Sequence, residues 1–201
     1  MATTQSAGRG RQGRAWVSGE GNFFGSTLVE LRRDDPPAPT LSLAAGVAVI
    51  RAVEAAAPAT GLILKWPNDL MMGSGKLAGI LLERAGDRLV AGFGVNLANA
   101  PQVDGRETTA LAPVALVSPQ GFAPILAASF TRALAMWRSD FTRLLTSWVE
   151  SAHPVGTPLT VHSGADERVS GSFAGVDPDG ALRLEREDGR IEIIRAGDVE
   201  L

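Results

Sequence analysis

The chain has 201 residues, 45% of them apolar and 20% charged, the composition of a soluble globular protein with room for one well-buried domain and a small appendage. A formal net charge of -3 argues against a general nucleic-acid binder, and the absence of cysteine excludes disulfides and thiol chemistry and fits a reducing cytoplasm. No long apolar run opens the chain, and Arg51 and Glu54 interrupt the most apolar stretch, residues 41–57, so a cytoplasmic protein with no membrane partner is expected.

In chain order, the first feature is TTQSAGRGRQGRAW (residues 3–16), where Arg9, Arg11 and Arg14 alternate with Gly8, Gly10 and Gly13. Residues 23–31 (FFGSTLVEL) read as a strand that DDPPAP at 34–39 stops. Thr40 or Ser42 then caps a helix whose apolar positions Leu43, Val47, Ile50 and Val53 or Ala57 recur at helical spacing until Pro58. Residues 62–66 form a short strand ending at Pro67. Beyond it, NDLMM, KLAGILLE and DRLVAGFGVNL are separated only by GSG and AGD, links short enough to imply an antiparallel meander.

Residues 102–119 carry no sustained period and are expected to wrap the surface. From Gly121 the apolar positions Phe122, Ile125, Leu126, Phe130, Leu134, Trp137, Phe141, Leu144 and Trp148 step by three and four, marking one long amphipathic helix or two in tandem with a core-facing stripe. HPVG at 153–156 breaks it. TPLTVHS, ERVSGSFAGVD, GALRLERE and RIEIIRAGDVEL follow, alternating runs split by turns such as DPDG (177–180) and EDG (187–189), which suggest a small SH3-like β-barrel. The expected division is a first domain over 1–152 and a second over 153–201.

GRGRQG formally matches G-x-G-x-x-G, but no buried strand precedes it and no helix follows, so a Rossmann site is not indicated. GSGK at 73–76 has Leu77 where a P-loop needs Ser or Thr. The loop does supply backbone N–H groups that approach a ligand closely and arginine forks suited to carboxylate and phosphate oxygens. An anion clamp and a solvated basic terminus both fit this segment alone; an RGG-like nucleic-acid tether fits less well, since aromatic residues are sparse.

KWPNDL (65–70) shifts that balance by placing Lys65, a rigid turn, Asn68 and Asp69 at the end of a strand. Lys76 follows in GKLAGIL, and Asn96 in GFGVNLA is a polar amide in an apolar strand, costly unless it has a partner. Each has a plain structural reading as a turn former, hairpin residue or strand-end amide, but together with three arginines they describe a pocket for a polyanion. His153 and His162 are isolated in the sequence, so neither a triad nor a metal cluster is expected.

QSAGRGRQGRAW, KWPNDL, GKLAGIL, GFGVNL and the closing GALRL and AGDVEL, in that order from Gln5 to Leu201, resemble the biotin protein ligases. The resemblance implies an α+β fold, a mixed β-sheet with helices of the class II synthetase-like biotin/lipoate ligase type, plus a C-terminal SH3-like β-barrel. It also implies a two-step reaction. Biotin's carboxylate attacks the α-phosphate of MgATP to give biotinyl-5'-AMP and pyrophosphate, and a lysine ε-amine of a biotin carboxyl carrier protein then displaces AMP.

By similarity, Gln5 bonds the biotin head group, while Gly8, Arg9, Gly10 and Arg11 form a loop over biotin and its adenylate that orders when ligand binds. Arg14 and Trp16 flank the nucleotide. Lys65 contacts the biotin carboxylate and α-phosphate, with Lys76 a second cation. Asn68 and Asp69 shape the site, Asp69 orienting the metal or the incoming amine; Gly79 and Ile80 line the biotin pocket, and Asn96 faces the adenine. The implied ligands are biotin, ATP and Mg2+, and a homodimer is an expectation of the same kind.

Two departures from the family accompany the resemblance. There is no room for the helix-turn-helix domain of repressor members, so no DNA partner is expected. The family's catalytic domain also begins earlier, with a strand–helix–strand unit of roughly 30 residues whose Ser-Thr-Asn stretch touches biotin. A recorded start set too late, an inactive truncated relative, or closure by a partner subunit would each explain this, and the first is the expectation. The alternatives to a biotin ligase are a lipoate protein ligase or a non-catalytic binder.

Overall fold

The computed structural model describes residues 1–57, 61–162 and 168–201. Pro58, Ser163 and Glu167, which bound three of the expected elements, lie outside the described residues. Strand β1 (Phe23–Glu30) leads through the Asp-Asp-Pro-Pro breaker into α1 (Leu41–Ala56). The breaker is fixed from both sides: Arg32 N donates to Asp35 Oδ2 at 2.9 Å, and Arg138 donates to both Asp35 oxygens at 3.0 and 3.2 Å. Thr40 stands at the expected cap position, but no side-chain cap bond forms there. Its hydroxyl donates to Pro37 O at 2.6 Å and accepts the Trp137 indole N–H at 2.8 Å, while Ser42 Oγ donates back to Pro39 O.

Helix α1 is buried over most of its circumference, as a helix apolar nearly all round must be. Helix α1 together with the 3-10 turn before it, Ala38–Ala56, is long and apolar enough to cross a membrane by length and composition, yet it is mostly buried, packed between the first sheet and the helices described next. The later helical run splits into α2 (Pro119–Ser139) and α3 (Phe141–Glu150). Asp140 causes the split: its backbone N–H closes α2 on Met136 O at 2.8 Å, while its carboxylate accepts from Arg143 N at 3.1 Å and starts α3. Ser118 caps α2 in the same way through Gly121 N.

The meander after α1 is β2 (Leu62–Lys65), β3 (Asp69–Met72), β4 (Gly75–Ala85) and β5 (Arg88–Val95), and the five-stranded sheet has the order β1-β5-β4-β3-β2. The sheet expected to be mixed forms antiparallel ladders throughout, and the parallel pairings on its strands are single bridges, Leu64 to Ala152 and Lys76 to Thr108. The reason is topological: β1 and β2 run the same way, but the α1 crossover delivers them to opposite edges, where they cannot pair. Residues 102–118 lie largely on the surface as expected, though Ala110 and Leu111 are buried and Leu111 N donates to Asn96 O at 2.9 Å.

A second five-stranded antiparallel sheet, SH3-like, follows in the order β10-β6-β7-β8-β9, from β6 (Pro158–His162), β7 (Arg168–Val176), β8 (Leu182–Glu185), β9 (Ile191–Ile194) and β10 (Asp198–Glu200). Trp66 Nε1 donates to Gly180 O at 3.0 Å, and Trp148 packs on Phe173 with ring centroids 6.5 Å apart. These contacts hold the second sheet beside the Lys65 end of β2.

Candidate active site

Residues directly opposite one another in an antiparallel ladder share a face. Lys65 lies opposite Asp69, Asp69 opposite Gly79, Gly79 opposite Gly94, and Gly94 opposite Phe24. One transverse row therefore crosses the whole first sheet on the face away from α1, and all five residues line a cavity of about 910 Å³.

A β-bulge adds Lys76 to that face. Leu70 faces Ala78 but Met71 faces Lys76, so Leu77 is an extra residue in β4, and such an insertion re-aims the side chains beyond it. Lys76 Nζ consequently meets Asp69 Oδ1 at 2.6 Å and stands 5.4 Å from the Trp16 ring centroid, within cation–π range.

The centre of the row has to be glycine. A Cβ on Gly79 would stand 2.7 Å from Trp16 Cζ3, and one on Gly94 2.5 Å from Trp16 Cε2, so the indole rests directly on two bare backbones. Trp16 Nε1 is buried and has no hydrogen-bond partner among the described residues. Contact with the glycine floor and the Lys76 ammonium, not its N–H, holds the ring.

The arginine loop closes over this floor as a hairpin: Trp16 N donates to Gly8 O at 2.9 Å and Gly10 N to Arg14 O at 2.7 Å. Its tip turns through Gln12 and Gly13 at φ 55° and 73°, a left-handed pair that costs the non-glycine member about 1 kcal/mol. Arg14 grips Asp198, the first residue of β10, through two bonds of 2.6 and 2.9 Å. Arg11 Nη1 donates to Asn68 Oδ1 and Gly197 O at 3.3 Å each and lies 3.8 Å from Asp198. Arg106 Nη2 approaches the same carboxylate at 3.8 Å.

Titration follows from these neighbours. Arg14's bonds, and the charges of Arg14, Arg11 and Arg106, hold the Asp198 carboxyl below the usual range although burial opposes them; the same bond raises Arg14. Burial lowers Arg11, against the pull of Asp198 and Asp69. Lys65 is half-buried and pushed below the ordinary lysine range, first by burial and then by Lys76 and Arg106, with Asp69 and Asp198 opposing. Among the described residues it has no ion-pair partner within 4.0 Å, although Asp69 and Asp198 lie near enough to offset its charge in part.

The other sequence candidates fall in distinct places. Gln5, Arg9, Gly10 and Ile80 line the cavity; Gln5 Oε1 accepts from Ser18 Oγ at 3.0 Å, while Arg9 is 71% exposed at the rim, 3.8 Å from Glu83. Gly8 supports the hairpin from outside the lining, where a Cβ would stand 2.6 Å from Trp16 O. Asn68 ties the turn to β4 by donating to Ile80 O at 2.6 Å and accepting Ile80 N at 2.9 Å.

Asn96, expected to face a ligand, does not line the cavity: it is 1% exposed, its Nδ2 donates to Lys76 O and Thr109 O, and its Oδ1 accepts from Asn22. The partners that a buried amide requires are two backbone carbonyls and the Asn22 side chain, so Asn96 staples residues 108–111 to β4.

Sequence reasoning missed Gly94, Arg106 and Asp198. The alternation Gly92-Phe93-Gly94-Val95 was the available signal for the first, since glycine at every second strand position marks close approach from one face. The other two reach the site only through tertiary convergence. His162 pairs with Glu200 at 2.8 Å on the cavity wall. His153 lies close enough behind Lys65 for burial and that ammonium to lower its pKa, and its Nε2 is buried without a partner among the described residues.

No group of three His, Cys, Asp or Glu side chains among the described residues could hold a metal ion. Asp69, the one metal candidate from the sequence, is engaged by Lys76. The site is a bowl of interleaved cations and carboxylates over a glycine-and-indole floor, and Lys65, which has no ion-pair partner within 4.0 Å among the described residues, suits it to a ligand with an anionic group.

Residues 1–97 match the Biotin/lipoate A/B protein ligase family and residues 158–201 the Biotin protein ligase C terminal domain. A biotin–[acetyl-CoA-carboxylase] ligase of Paracoccus denitrificans is 37% identical, the match covering 99% of this chain and 88% of the relative. A second, from Mycobacterium tuberculosis, is 33% identical over 99% of this chain and 77% of its own length. Among solved structures, the biotin protein ligase from Aquifex aeolicus in complex with biotin and ATP shares the fold at a TM-score of 0.85 and 24% identity, covering 98% of this chain and 85% of that one. The biotin protein ligase from Leishmania major in complex with biotinyl-5-AMP gives 0.67 at 26% identity, covering 96% and 86%.

Proposed function

The chain belongs to the biotin/lipoate protein ligase family, and from that premise we propose that it is an ATP-dependent ligase that makes biotinyl-5'-AMP and transfers biotin to a lysine of a biotin carboxyl carrier protein. The observation that carries the reading is the meeting of a half-buried Lys65, without an ion-pair partner among the described residues, with the arginine loop over one glycine-floored cavity. In this reading the unit over 1–152 is catalytic, the unit over 153–201 supports its loop, and the reaction is cytoplasmic.

Each step follows from the charges at hand. The bicyclic head of biotin packs beside the Gly79–Ile80 backbone, with Gln5 bonding its polar edge; Trp16, placed by the resemblance at the nucleotide, rests on Gly79 and so borders the biotin head as well. Two anions, the biotin carboxylate and the α-phosphate, must then be brought together, and Lys65 offsets their repulsion. As the carboxylate oxygen bonds to phosphorus, the bond to the β-phosphate breaks and pyrophosphate leaves. Arg11 and Lys76 face the developing charge from fixed positions, where preorganised cations lower the barrier most. No cluster among the described residues would hold Mg2+, so the ion would come with ATP and would supply positive charge to its phosphates. In the second step the carrier amine attacks the anhydride carbonyl, AMP leaves with the bonding pair, the surplus amine proton passes to solvent, and Asp69 orients the amine.

Single-turnover incubation with biotin and MgATP, followed by addition of a carrier domain, tests the assignment. Biotinyl-AMP is expected to accumulate and then decay as biotinylated carrier appears. Absence of the adenylate, or equal turnover of lipoate, overturns it.

A further inference from the structure

Arg106 stands outside every segment that pointed to the site in the sequence, yet its guanidinium reaches the cavity. Its position is built, not incidental. Lys76 N donates to Glu107 O at 2.9 Å and Thr109 N to Lys76 O at 3.0 Å, which fastens this segment to the start of β4. Gly75 lies so close beneath it that a Cβ would stand 2.8 Å from Thr109 Cβ. A turn closed by Arg106 N donating to Val103 O at 3.1 Å, with Gly105 at φ 69°, then points the side chain toward Asp198.

The three arginines around Asp198 differ in what they have left to give. Arg14 spends its fork on the carboxylate, and Arg11 donates to Asn68 and Gly197. Arg106 stays at 3.8 Å, its side chain makes no hydrogen bond among the described residues, and it is 43% exposed. One carboxylate cannot neutralise three guanidinium groups, and the one whose donors are all free is the most exposed of the three. A triphosphate held at its α-phosphate by Lys65 would have Arg106 within reach of its remaining phosphates, since both side chains line one cavity and the guanidinium is near enough to help lower the Lys65 pKa.

Resting on the ligase reading above, we propose that Arg106 binds the β- and γ-phosphates of ATP and stabilises departing pyrophosphate, taking no part in the transfer of biotin to the carrier. When the α-phosphorus to oxygen bond breaks, its electron pair moves onto the pyrophosphate oxygen, and the planar fork of Arg106 matches two of that group's oxygens.

The test separates the two half-reactions in Arg106→Gln and Arg106→Lys. For Arg106→Gln, the KM for ATP in biotinyl-AMP synthesis should rise about tenfold, inhibition by inorganic pyrophosphate should weaken by a similar factor, and transfer from supplied biotinyl-AMP should stay within about twofold. Arg106→Lys should recover part of the loss, since charge without the fork is a weaker phosphate ligand. An unchanged melting temperature in both variants excludes misfolding as the cause. Equal slowing of transfer and adenylation, or unchanged ATP KM and pyrophosphate inhibition, overturns the proposal while leaving the ligase reading intact. A wild-type chain that makes no biotinyl-AMP but transfers from the supplied adenylate, or does neither, overturns the ligase reading and this proposal with it.

Discussion

Two neighbouring rows cross the first sheet, one residue apart on every strand. Leu64, Leu70, Ala78, Val95 and Phe23 form the row against the helices, none more than 4% exposed. Lys65, Asp69, Gly79, Gly94 and Phe24 form the row that lines the cavity. The same hydrogen bonds position both, so the backbone precision of the chemical row comes from the packing of its neighbour. Each strand is written for two environments at once, and the period of two keeps them apart.

That comparison predicts opposite phenotypes from adjacent residues. Lys65→Ala should slow single-turnover adenylation by about 10²- to 10³-fold, with no loss of melting temperature, because it removes a half-buried ammonium already held below its ordinary pKa by burial. Leu64→Ala, one position away, should cost about 2–5 kcal/mol of stability in denaturant titrations, while adenylation per folded molecule stays within a few-fold. A Lys65→Ala protein that unfolds, or a folded Leu64→Ala protein without activity, would break the separation of the rows.

The glycines sharpen it further. Gly94→Ala puts a methyl where the Trp16 ring stands, since its Cβ would lie 2.5 Å from the indole. The ring must leave the floor, and biotin affinity should fall at least about tenfold, with an overpacking cost in stability of about 1–3 kcal/mol. Isothermal titration with biotin decides this: unaltered affinity would mean that Trp16 takes no part in shaping the biotin pocket.

What the sequence disclosed follows the same physics. Helix periods, strand alternation and the Gly-containing links at 73–75 and 85–87 depend on neighbours within a few residues, so α1, the meander and the SH3-like tail were legible. The lysine, amide and carboxylate of KWPNDL were legible as a cluster because one turn holds them together. Asp198 meets Arg14 of the loop from 184 positions away and Arg106 meets Asp198 from 92, and neither leaves a local trace. Asn96 misled for a related reason: a polar residue in an apolar strand announces that a partner exists, but not that the partners are two backbone carbonyls and the Asn22 side chain. Thr40 has the composition of a cap, yet the Trp137 indole, 97 positions on, claims its hydroxyl.

The two sheets offer a smaller test of how packing serves chemistry. Trp66 follows Lys65 directly and ties the first sheet to the second through its bond to Gly180 O. Trp66→Phe keeps most of the buried ring and removes that bond, so thermal or denaturant unfolding should register a loss of about 1 kcal/mol. Adenylation should slow more than this stability loss explains if the bond positions Lys65; a change in stability alone would make the indole a brace and nothing more.

The smallest effect concerns the latch between loop and β10, and its sign is fixed by Asp198. The folded pKa of this carboxyl lies below its ordinary value because Arg14 donates to it. The stability it contributes is therefore complete above the ordinary carboxylate range and is lost as pH falls through the folded value. Asp198→Asn removes that contribution at neutral pH. The carboxylate is 37% exposed, so solvent screening holds the difference to about 1–2 °C in melting temperature. Between pH 6 and 7 wild type should melt above the variant, and the gap should close as pH drops below about 4. A gap that widens on acidification would mean that the three arginines repel one another more than Asp198 binds them, and that the loop docks on β10 for a reason other than this carboxylate.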